Sequence, residues 1–255
     1  MMTITKDDII EKAQNYISHI SKKVNLKGQE KLINMINSTN DIEQMQDCLI
    51  SLYLASVFSN ITVRLVLEEP WMNNSGNRSY HDLVAYLPNG IRIVNEIKRL
   101  KQTNWDKKEK KLIINSVTKT RKLNELKENP NRSTTGYLDT ILNEISIKEN
   151  QFEPDVTNIL WIASKGLHYQ ATDIEDAASH FARGYSIISC NKPETEPGWA
   201  HIKPANLTAI GWLWDGDPIN STAKPHCFII SHSYELKSIK NIINLKILNK
   251  NIITK

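Results

Sequence analysis

Cysteine is scarce in this chain: Cys48, Cys190 and Cys227 are the only three. They are odd in number, far apart and in no CxxC spacing. That excludes a disulfide framework and points to reduced thiols in a cytoplasmic protein. Long apolar runs are missing as well. No stretch approaches the ~18 consecutive apolar residues of a membrane span. The first residues, MMTITKDDIIEKAQ, hold no apolar run, so no secretory signal is expected. There is no internal repeat and no low-complexity linker. What is present is a composition of 40% hydrophobic and 7% aromatic residues over 255 positions. That suffices for a real core and suits one domain.

Net charge is a mild +4, but it is unevenly spread. Ile91 to Arg132 carries thirteen Lys and Arg against five Asp and Glu, a surplus of +8 that leaves −4 for the rest. A localised basic block of this kind suits a polyanion.

Apolar spacing predicts helices over 7–24, 29–37 and 41–58, with Gly28 as a break and Asp41 as a cap. ITVRLVLEE (61–69) reads as a strand, and PWMNNSGNRS (70–79) as a loop. HDLVAYL (81–87) and IRIVNEIKRL (91–100) read as a hairpin around Pro88-Asn89-Gly90. A basic helical stretch follows over 104–128, then another helix at 137–148. NILWIAS (158–164) has the continuous apolar character of a buried strand. A helix is expected through 172–183, strands at 185–190, 208–215 and 226–232, and an amphipathic helix over 234–249. The class is α/β, a mixed central sheet flanked by helices.

The hairpin carries the chemistry. A hard divalent cation takes one or two carboxylates plus water. Asp82 lies near the start of one strand and Glu96 near the end of the next, with Lys98 two residues on and on the same face. The turn decides whether they meet. A two-residue loop, Asn89-Gly90, pairs Asp82 with Ile97 and turns it away. A three-residue loop pairs Leu87 with Ile91 and sets Asp82 opposite Glu96. Pro suits the first position of that turn and Gly the last. The faces then sort. Leu83, Ala85, Leu87, Ile91, Ile93 and Ile97 point to a core, and Asp82, Val84, Tyr86, Arg92, Val94, Glu96 and Lys98 point away. Two carboxylates across a hairpin repel unless a metal joins them. The expected ligands are therefore Asp82, Glu96 and the carbonyl of Ile97. Lys98 would serve the attacking water or the phosphate.

This arrangement resembles the PD-(D/E)xK nuclease superfamily, the restriction-endonuclease-like fold, over about residues 41–164. The order of helix, three strands, helix and strand is similar, and Asp82, Glu96 and Lys98 align with the motif. His81 stands where the family has proline. The resemblance implies a core at 41–164 after N-terminal helices (1–40), with a C-terminal α/β extension (165–255). It implies a metal-dependent endonuclease of DNA, Mg²⁺ as cofactor with Mn²⁺ as substitute, a restriction or defence role, and a homodimer on double-stranded DNA. It also implies a further acid upstream: Glu43 first, with Asp47, Glu68 and Glu69 as alternatives. Arg99, Lys101, Lys107 and Lys108 would contact phosphates.

Two other functions stand beside this one: a repair nuclease or junction resolvase, and a non-catalytic nucleic-acid-binding module of the same fold. Trp161, Trp199, Trp212 and Trp214 would either pack the sheet or stack on bases. His81 would sit at the rim of the site.

Overall fold

The computed structural model describes residues 5–73, 76–100, 151–164, 206–214, 224–230 and 239–247, with 174–175, 178–179, 186–187, 199–200 and 236. The helices expected over 104–128 and 137–148, and most of that over 172–183, lie outside the described residues.

The chain opens on helix α1 (Lys6–Ser21), started by a reciprocal cap between Thr5 and Asp8. Its buried stripe is Ile9, Ala13 and Ile20. Strand β1 (Asn25–Lys27) was not legible from three residues. Gly28 then caps helix α2 (Gln29–Ser38) at φ +81°, and a Cβ there would lie 2.0 Å from the Leu67 carbonyl oxygen. Only glycine fits that combination of backbone angle and close approach.

Helix α3 (Ile42–Phe58) is capped by Asp41, which accepts from the Glu43 amide at 2.8 Å. The expected Met45, Leu49, Leu52 and Ala55 are buried, and so are Cys48, Ile50, Tyr53 and Leu54. A helix apolar nearly all round belongs inside. It packs on α1, on α2 and on the sheet.

That sheet is mixed and eight-stranded. Its remaining strands are β2 (Arg64–Met72), β3 (Arg78–Tyr86), β4 (Arg92–Leu100), β5 (Thr157–Ser164), β8 (Leu207–Trp214), β9 (His226–Ile229) and β10 (Asn244–Ile247). A separate ribbon pairs β6 (Ser186–Ile187) with β7 (Trp199–Ala200). The order is β1-β2-β3-β4-β5-β8-β9-β10. β2, β3 and β4 form an antiparallel meander, and β4, β5 and β8 run parallel. β8, β9 and β10 thus widen the sheet that holds the hairpin.

Two expectations are corrected. Much of the 70–79 loop is strand: Pro70, Trp71 and Met72 pair with Tyr80, Ser79 and Arg78. Cross-strand pairing overrides local turn propensity, and Pro70 is tolerated because β1 covers β2 only at Arg64–Val66, which leaves an edge beyond. The C-terminal helix also gives way at Asn244–Ile247 to β10, parallel to β9. The apolar residues there fit either period, and the free edge of β9 decides.

Trp161 and Trp212 pack the sheet. Trp161 is fully buried, edge-on to Phe58 at 6.4 Å, and its Nε1 donates to Asn95 Oδ1 at 2.8 Å. Its sheet neighbour is Gly211, where a Cβ would sit 2.0 Å from the indole.

Candidate functional site

The hairpin turn has three residues. The Leu87 amide donates to the Ile91 carbonyl at 2.9 Å, the Gly90 amide donates to the Leu87 carbonyl at 3.0 Å, and Gly90 has φ +80°. Asn89 Oδ1 accepts from the Ile91 amide at 3.2 Å and stiffens the loop. The ladder pairs Tyr86 with Arg92 through Leu83 with Asn95. One step further, that register sets Asp82 across from Glu96.

Alternation then breaks. Glu68 on β2 has φ +53°, outside the strand region. On either side of it, Leu67 pairs with Leu83 and Glu69 with His81. Leu67 and Leu83 belong to the core under α3. Glu69, however, reaches Tyr86 and Arg92 on the opposite face, and His81 reaches Glu96 there. Glu68 and Asp82 are left on the α3 side beside their leucine neighbours, where both line one cavity. The expectation that Asp82 shares a face with Val84, Tyr86 and Glu96 is therefore corrected. The Ile97 amide replaces the next ladder bond by donating to Asp82 Oδ2 at 2.6 Å.

The cavity measures about 330 Å³, and its polar wall is Asp47 and Cys48 from α3, Glu68, Asp82, Lys98 and Arg99. Burial and then the charges of Asp47 and Glu68 push the Cys48 thiol up to about 12. Burial is the larger cause, and the two carboxylates add to it from two elements. Of the four upstream acids, Asp47 and Glu68 line the cavity, and Glu43 and Glu69 do not. Glu43 sits one turn earlier on α3, with a carboxylate oxygen 3.9 Å from Arg99.

Arg99 was expected on phosphate, but its side chain is only 4% exposed. It grips α3 instead. Its Nε lies 2.5 Å from Asp47 Oδ1 without the alignment of a hydrogen bond, and its terminal nitrogens donate to Gln46 Oε1 and the Glu43 carbonyl. The expected contacts Lys101, Lys107 and Lys108 lie outside the described residues.

Glu96 does not line that cavity. Its side chain is fully buried, and so is that of His81, whose Nδ1 is 2.8 Å from Glu96 Oε1. His81 is thus interior rather than at a rim, stacked on Trp71 at 4.7 Å. Its Nε2 faces Glu153 Oε2 at 3.2 Å. Glu153 also pairs with Arg92, which continues to Glu69 at 3.0 Å. Burial pulls the Arg92 guanidinium down, but the Glu153 hydrogen bond and charge, with Glu69, leave it above its ordinary value. Asn158 holds Glu153 in place, donating to its carbonyl at 2.7 Å and accepting from its amide at 3.2 Å. This chain of polar contacts was missed from sequence, since His81 and Glu153 are 72 positions apart. The one available signal was a histidine beside the motif aspartate.

Among the described residues, no group of three or more His, Cys, Asp or Glu side chains is arranged to hold a metal ion. No helix among them is long and apolar enough to cross a membrane. No protein-family description, curated protein or solved structure matches the chain.

Proposed function

We propose that the chain is a metal-dependent endonuclease that hydrolyses DNA phosphodiester bonds in a restriction or defence role, on a restriction-endonuclease-like core. The succession of α3, the β2–β3–β4 meander and a parallel β5 supports the fold. The observation that carries the function is the cavity, where acids from three separate elements, Asp47 of α3, Glu68 of β2 and Asp82 of β3, share a wall with Lys98. A negative field of this kind is relieved by a cation. The donors are hard oxygens, and a protonated thiol is not a competing ligand, so Mg²⁺ or Mn²⁺ fits their chemistry. Mg²⁺ keeps several of its waters, so a wall with one or two direct carboxylates suits it.

Asp82 would hold the ion, with Glu68 and Asp47 as the nearby acids. When bound, the ion supplies Lewis acidity to a phosphate oxygen and a water. Lys98 would orient that water or neutralise the phosphate. Arg99 fixes Asp47 and so positions the α3 side of the wall. The Ile97 amide orients the Asp82 carboxylate, and Glu96 anchors the end of β4 from behind. Cutting both strands of a duplex would require a homodimer.

The test is nicking of supercoiled plasmid in Mg²⁺ or Mn²⁺. Asp82→Asn and Lys98→Ala are expected to lower the rate at least ~100-fold, the scale of losing one electrostatic stabiliser. Unchanged nicking by either purified variant would sink the assignment. The Glu96–His81 pair favours a second reading, a binding module without catalysis, because it draws one motif acid away from the cavity. Salt-sensitive DNA binding with no nicking by the parent would select it.

A further inference from the structure

We propose that the free end of the β2–β3 ribbon is an arm that seats duplex DNA against the cavity. This deepens the nuclease reading and rests on it for the choice of polyanion. Beyond Glu68 and Asp82 no third strand pairs with the ribbon among the described residues. β1 covers β2 only at Arg64–Val66, and β4 covers β3 only at Leu83–Tyr86. Pairing nevertheless continues through Pro70–Tyr80, Trp71–Ser79 and Met72–Arg78. The two faces of this arm differ. Trp71 turns inward and stacks on His81. Pro70, Met72, Arg78 and Tyr80 leave on the other face, with Met72 64% and Tyr80 37% exposed.

That outer face runs into the cavity. Arg78, Tyr80 and Asp82 alternate along β3, so they share a side, and Arg78 lies ~13 Å from Asp82 at the usual rise per residue. The side is cationic and apolar together. Lys31 Nζ lies 3.7 Å from the centre of the Tyr80 ring, and the Arg78 guanidinium 5.5 Å. Asp47, Glu68 and Asp82 repel a phosphate chain, and Lys98 in their wall offsets only part of that, so DNA at the cavity needs attraction from beside it as well. Arg78 supplies it, helped by Lys31, which also lies 3.8 Å from Glu68 Oε2. A two-stranded ribbon fits the major groove of a duplex, where an exposed methionine adds apolar contact with base edges.

The experiment is fluorescence anisotropy of a short labelled DNA duplex with the full chain, titrated over a range of salt in EDTA so that cleavage does not enter. Arg78→Ala is expected to weaken binding about tenfold and to lower the salt slope by about one. Met72→Ala is expected to weaken binding with the slope unchanged, because a thioether releases no counterion. Both side chains are exposed, so thermal melts should match the parent, and Lys22→Ala at the C-cap of α1 should bind as the parent does. Parent-like affinity in both arm variants overturns the proposal, as does a parent that binds no duplex. Plasmid nicking separates the two readings. Arm-dependent binding without nicking keeps the arm and removes the nuclease. Nicking with arm variants that bind normally keeps the nuclease and removes the arm.

Discussion

Glu96→Ala removes a fully buried carboxylate from a fully buried histidine. The loss has two parts. His81 Nδ1 forfeits its partner at 2.8 Å, and a cavity opens behind β4. Stranding a buried hydrogen-bond partner costs about 1–3 kcal/mol, and with the cavity the loss comes to about 3–5 kcal/mol. For a chain of this size that corresponds to a melting-temperature drop on the order of 10 °C. Glu96→Gln keeps the volume and an acceptor oxygen, so its cost should fall to about 1–2 kcal/mol. Urea denaturation of Glu96→Ala, His81→Ala and the double variant closes a thermodynamic cycle. The coupling is expected at about 1–3 kcal/mol, because each single variant strands the other side chain. Glu153 holds the far nitrogen of His81 and keeps the coupling below the full cost of either variant. Asp82→Asn, which can still accept from the Ile97 amide, should leave the melting temperature within a few degrees. A Glu96→Ala protein as stable as the parent, or a coupling of zero, would refute the anchoring role and return Glu96 to the cavity side.

Other outcomes follow from particular contacts. Gly211→Ala drives a Cβ to 2.0 Å from the Trp161 indole, which Asn95 and Phe58 hold from the other sides, and should cost about 3 kcal/mol in a urea melt. Gly28→Ala meets both a φ of +81° and the Leu67 carbonyl, and should be at least as costly by the same measurement. The Cys48 thiol is raised in the fold, so its contribution to stability is present below the unfolded value of 9.0 and is lost as pH rises through about 12. Native protein at pH 8 should therefore alkylate slowly at Cys48 with iodoacetamide, and urea should restore ordinary thiol rates. Mass spectrometry of the Cys48 peptide reads this directly, and fast native labelling would contradict it.

Helix starts were legible because capping is local. Asp41 ends its loop and opens α3 with its own side chain, and Gly28 opens α2 after β1 by the angle that it adopts. The apolar run of 158–164 likewise determined a buried strand, since residues that shun water on both faces need cover on both. Strand β10 was not legible, because Ile242, Ile243, Leu245 and Ile247 suit a helix or a strand equally. An open edge on β9 chose, and no local residue encodes that edge.

The hairpin divides along the same line. Pro88, Asn89 and Gly90 determined a three-residue turn by themselves, because ring closure, an Asn side-chain bond and a left-handed glycine are properties of adjacent residues. With the turn came the register, and with the register the level of Asp82 against Glu96. Which face each carboxylate takes was decided by tertiary structure. Glu68 adopts a positive φ on a neighbouring strand, His81 finds Glu153 from 72 positions away, and Arg99 is drawn to α3. Period-two alternation holds only while the strand stays regular, and these distant partners bend it at the one residue where the motif depends on it.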